Sequence, residues 1–147
     1  ADYTTLFEPT ALMLEQEGSG YVLTSVGKYS PEVPFTSYYV TKEYLKENKE
    51  IVQKFTNAIY KAQKYVMEST NLEVAIAIKD FFPDTSVEDL AEVIKRYREA
   101  DVWCDTPYFK EEGLNRLMDI MTEAKELEKR AKFSDIVDNS FAENAVK

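Results

Sequence analysis

The apolar positions of this chain follow two rhythms, and the change comes near residue 41. Before it, β-branched and aromatic residues gather in three short runs of the kind that suits strands. The first run, residues 3–7, stops at Glu8 and Pro9; proline ends a strand but suits the first turn of a helix. Residues 10–17 then read as a short helix, with Leu12, Met13 and Leu14 as its apolar part and Gly18 and Gly20 as its end. Residues 21–26 read as a second strand closed by Gly27. Residues 35–40 form a third, beyond a loop bracketed by Pro31 and Pro34. Strand, short helix and strand in this order predict an α/β unit with a parallel sheet.

From Thr41 onward the spacing turns helical. Ile51, Phe55, Ala58, Ile59, Ala62 and Val66 recur every three or four residues, marking the buried face of a long amphipathic helix. A shorter helix over residues 72–82 is stopped by Pro83. Thr85 and Glu88 have capping-box spacing ahead of Leu90, Val93, Ile94 and Tyr97. Residues 103–108 read as a loop containing Pro107. Leu114, Leu117, Met118 and Met121 carry a further helix, and residues 134–147 a short surface tail. The expected fold class is therefore α/β, with about three strands followed by a helix-rich C-terminal part. Three strands leave bare edges. Completion is expected either from a further N-terminal half or by strand exchange in a homodimer.

Composition removes several classes of function. With 147 residues, 44% of them hydrophobic and 31% charged, the chain has the balance of one globular domain. Its net charge of −9, without a basic stripe, argues against nucleic acid as a partner. Histidine is absent, which removes the commonest general base and transition-metal ligand. The single cysteine, Cys104, allows neither an intrachain disulfide nor a thiolate cluster. No phosphate loop or nucleophile elbow occurs. Neither catalysis nor a cofactor or metal is expected. No apolar run reaches the ~20 residues of a membrane span. The opening Ala1, Asp2 and Tyr3 have no signal-peptide character, so the chain reads as a fragment whose membrane anchor lies elsewhere.

What remains points to small-molecule contact. Glu8 ends a predicted strand just before a helix, at the sheet edge where open α/β sheets bind ligands. There it can accept from an amine, with the Phe7 ring stacked on a flat ligand and Thr10 alongside. The plainer reading has Glu8 complement the helix N-terminus and Phe7 join the core. Alternation along residues 35–40 sends Phe35, Ser37 and Tyr39 to one face, either to line a cleft or to pack. Trp103 sits in a polar loop, where it covers a pocket or fills a gap between helices. Glu111 with Glu112, and Asp135 with Asp138, read as solvated charge.

The order of segments resembles a known family. A strand ending in an aromatic-acid-Pro turn, a short helix and a strand ending in Gly come first, followed by "TKEYLKENKEIVQKFTNAIYKAQKYV". "YFKEEGLNRLMDIM" and "FSDIVDNSFAENAVK" close the chain. Together they resemble the second half of substrate-binding proteins of ABC importers, in the nitrate/sulfonate/taurine/thiamine-pyrimidine group. The resemblance covers essentially the whole chain. It implies a type II periplasmic-binding-protein-like, two-lobed fold. Residues 1–30 would end one lobe, 31–41 cross over, and 42–147 supply the helical part of the other. It further implies capture of a small molecule outside the cytoplasm, as a periplasmic protein or lipoprotein, and delivery to ABC permease subunits. Ligand contacts are expected from Phe7, Glu8, Thr10, Ser37, Tyr39 and Trp103. A carboxylate at Glu8 favours an aminopyrimidine or related amine over nitrate, sulfonate or taurine. The competing expectation is a helix-rich interaction module without a small-molecule site.

Overall fold

The computed structural model describes residues 2–147; Ala1 lies outside them. Its regular structure is helical: α1 (Thr10–Gln16), α2 (Val26–Tyr29), α3 (Lys42–Glu47), α4 (Lys49–Glu68), α5 (Asn71–Ile78), α6 (Val87–Glu99), α7 (Glu111–Glu123), α8 (Phe133–Ile136) and α9 (Ser140–Ala145), with a 3-10 turn at Lys79–Phe81. No strand occurs among the described residues, so the expected α/β architecture with its three strands is overturned. Residues 3–7, 21–25 and 35–40 have the side chains of strands but no ladder, and Val26 opens α2 instead of closing a strand. The physical reason is that a strand needs a neighbour for every backbone hydrogen bond. β-propensity without a partner does not make a sheet.

Contacts divide the chain into two compact units. One comprises residues up to Tyr29 with Lys64–Cys104, the other Ser30–Gln63 with Asp105–Lys147. In the first unit α5 and α6 build the core, Val74 and Ala75 packing with Leu90 and Ile94. Val66, Ile78, Val87, Ala91 and Trp103 close around them. Each large side chain so buried contributes about 1.5–3 kcal/mol. The helix starts are chemically specified. Thr70 and Glu73 form a full capping box on α5, each side chain accepting from the other's backbone N–H. On α6 the cap is Ser86 with Asp89, one residue beyond the expected Thr85 and Glu88 pair. Thr85 is buried instead. Arg98 donates to the carbonyls of Val66 and Ser69 at 2.5 and 2.7 Å, satisfying acceptors left open where α4 ends.

In the second unit the Thr41 hydroxyl caps α3, and Asn48 ends it by donating its side-chain amide to the Tyr44 carbonyl. α4 forms where the spacing predicted a helix, but its stripe is not the expected buried face: Ile51, Phe55, Ala58 and Ala62 are exposed and Ile59 and Val66 half-buried. The Tyr38 ring meets Phe55 edge-on at 4.9 Å. Leu114 and Met118 of α7 and Ala142 of α9 are buried. Asn139 accepts from the Phe109 N–H and donates to its carbonyl, both at 2.9 Å, holding the loop before α7 as a strand neighbour would.

Candidate functional site

Glu8 is the best-determined of the expected contact residues. Its side chain is 10% exposed. Oε2 accepts from the Leu12 N–H at 2.9 Å, filling one of the open donors at the start of α1. Oε1 accepts from Arg96 Nη1 at 3.1 Å. Arg96, on α6, also donates through Nη2 to Glu15 Oε2 at 2.5 Å. The other Glu15 oxygen accepts from the Val22 N–H at 3.1 Å. One guanidinium thus fastens both ends of α1 to α6, and Glu15 carries the tie on to residue 22.

The electrostatics follow from these bonds. The Val22 amide, with help from Arg96, holds the Glu15 carboxyl below the ordinary range. Burial works against the charge on Arg96, but Glu15 and Glu8 outweigh it and raise its pKa. The ion triad is partly sheltered, and such pairing is costly to break on one side only.

The remaining expected residues fall in different places. Phe7 is 70% exposed and Thr10 is exposed, both beside Glu8 at the start of α1. Trp103 is half-buried against the α5–α6 core, edge-on to Tyr97 at 5.8 Å. Ser37 is exposed and Tyr39 is 94% exposed, and both belong to the second unit. Sequence reasoning missed Arg96 and Glu15. The spacing of Glu92 and Arg96 signals an ordinary helix-surface pair, and nothing local links Arg96 to a carboxylate 88 positions earlier.

Two further features bear on binding. In the first unit Tyr3, Tyr21, Leu23, Val26 and Tyr29 are largely exposed; in the second, Phe35, Tyr38 and Tyr39 are. Isolated exposed apolar residues are normal, whereas clusters mark surfaces that meet something. Each unit also has an open depression. That of the first, about 270 Å³, is lined by Met13, Gln16, Glu17, Asp84, Thr85 and Asp89. That of the second, about 450 Å³, lies among residues of α3, α4 and the 138–144 segment, including Gln53 and Phe141. The six expected contact residues line neither. No group of acidic side chains and cysteine among the described residues is arranged to hold a metal ion. No helix among them is long and apolar enough to cross a membrane.

Residues 1–71 match the family model described as NMT1/THI5 like. Over 142 residues the chain is 36% identical to a protein of Bacillus subtilis (strain 168) named "Putative binding protein YtlA". That alignment takes in 97% of this chain and 42% of the relative, so the chain spans about two-fifths of the length of the curated relative it matches. No solved structure matches the chain.

Proposed function

We propose that this chain, which belongs among the NMT1-like binding proteins, serves in the capture of a small solute for an ABC importer. The observation that carries the reading is a coincidence of position. The family match covers residues 1–71, and the same stretch holds the densest set of exposed rings in the chain. In a solute-binding protein such rings cover or stack on ligand, or meet the rest of the protein around it. The favoured ligand is an aminopyrimidine or related heterocyclic amine. Glu8 and Glu15 are both engaged by Arg96, so this preference rests on the rings and the acidic surface. Phe7 and Thr10, exposed at the start of α1, are the contacts we assign. The reading is non-catalytic. It places the protein on the extracytoplasmic side, with permease subunits as its partners.

Thermal unfolding with added solute tests it. Hydroxymethyl-aminopyrimidine is expected to raise Tm by a few degrees at saturating concentration, and nitrate, taurine and methanesulfonate are expected to do less. The measurement is made on this chain and on a protein of the relative's full length. A flat response from both to every solute would end the solute-capture reading. The exposed rings would then favour the competing one, a module that docks another polypeptide.

A further inference from the structure

The buried core of the first unit is complete without its N-terminal stretch. The cluster of Val74, Ala75, Leu90 and Ile94 is closed in by side chains from residues 66 to 103, and no described residue of 2–29 joins it. Among the described residues up to Tyr29, Leu12 alone is buried. Apolar burial is what makes a segment cooperate with a core, because opening returns that surface to water. This stretch has little of it to lose.

What joins the stretch to α6 is polar. The Arg96 guanidinium takes Glu8 at one end of α1 and Glu15 at the other, and Gln16 Nε2 donates to Asp89 Oδ1 at 2.6 Å. These are bonds between partly exposed side chains, which contribute far less than a packed core. Backbone bonds of the stretch, by contrast, close within it: Ala11, Met13, Glu17 and Ser19 donate to the carbonyls of Phe7, Pro9, Met13 and Leu14 at 3.1, 3.0, 2.9 and 3.0 Å. Glu15 extends this local set to the Val22 N–H. Residues 7–22 therefore hold their own structure when the bonds to α6 part.

We propose that residues 7–22 form a strap that swings away from α6 as one piece while the α5–α6 core stays folded, with Arg96 as the clasp that sets how often it opens. Lids over binding sites are drawn from segments that open in this way, below the limit of global stability. Phe7 and Thr10 travel with the strap, whether or not they touch solute.

Native-state hydrogen exchange of the intact chain, without ligand and at several low urea concentrations, tests it. The amides of Ala11, Met13, Glu17 and Ser19 are expected to share one opening equilibrium, about tenfold or more above that of the α5 and α6 amides, with a weaker dependence on urea. Val74→Ala weakens the core whether the strap is closed or open. It is therefore expected to speed exchange of the α5 and α6 amides about tenfold and to leave the four strap amides unchanged. Arg96→Gln is expected to speed the strap amides about tenfold, and Arg96→Lys, which keeps the charge but loses the planar fork, by less. An equal effect of Val74→Ala on strap and core would make them one cooperative unit and overturn the proposal. Scattered values for the four strap amides would mean fraying residue by residue and overturn it too, as would strap amides indifferent to Arg96→Gln.

Discussion

Residues 2–40 and residues 64–104 are both rich in apolar side chains, yet they end in opposite states. In the later stretch Val74, Ala75, Leu90 and Ile94 are packed out of water. In the earlier one Leu12 is buried, while Tyr3, Tyr21, Leu23, Tyr29, Phe35 and Tyr39 stand in solvent. The difference lies in who completes the backbone. A helix satisfies its own N–H and C=O groups and needs only one apolar face covered. A segment with strand-type side chains depends on a partner for its hydrogen bonds as well as for its burial. The family match includes all of the stretch that lacks such partners.

Mutations that strike each side of this contrast should separate it sharply. Leu90→Ala, in the helical core, is expected to cost about 2–5 kcal/mol in denaturant unfolding. Arg96→Ala is expected to cost about 1–3 kcal/mol by the same measurement, because it leaves Glu8 sheltered without its cation. Glu8→Gln, which keeps an acceptor for the Leu12 N–H, should cost less. Thr70→Ala removes half of the α5 capping box and should cost about 1 kcal/mol. Tyr39→Ala should change stability by no more than about 0.5 kcal/mol, since its ring is already in water. A large loss at Tyr39 would mean that the contrast between the regions is false.

Acid titration adds a weaker discriminator with a definite sign. Glu15 is held low by the Val22 N–H and Arg96, Glu73 by the Thr70 N–H and hydroxyl, and Asp89 by the Ser86 hydroxyl and Gln16. A carboxyl whose folded pKa lies below its unfolded one stabilises fully above the unfolded value, near pH 4. That contribution disappears as pH falls through the folded value. Stability at pH 3 should therefore be lower than at pH 6. Thr70→Ala, which keeps the backbone N–H and removes the hydroxyl, should shrink the contribution of Glu73 only in part.

The legibility of the sequence follows the same division. The stripe from Ile51 to Val66 predicted α4 as a helix but not its exposure, and the spacing of Leu90, Val93 and Ile94 predicted α6 with its buried face, because helical periodicity is written at short range. The α6 cap was displaced by one residue because Thr85 to Glu88 and Ser86 to Asp89 have equivalent spacing; burial of Thr85 decides between them. The three expected strands were not legible as absent, since pairing is a property of distant segments. Of the candidate site, the role of Glu8 at the start of α1 could be read locally as the plainer alternative. Its bond to Arg96 could not.

Backbone hydrogen exchange on the intact chain tests the contrast most directly. Amides within α5 and α6 are expected to exchange slowly, near the limit set by global unfolding, while those of residues 23–25 and 36–40 exchange at close to the rate of an open chain. Slow exchange throughout residues 36–40 would reveal backbone partners for that segment and contradict the account.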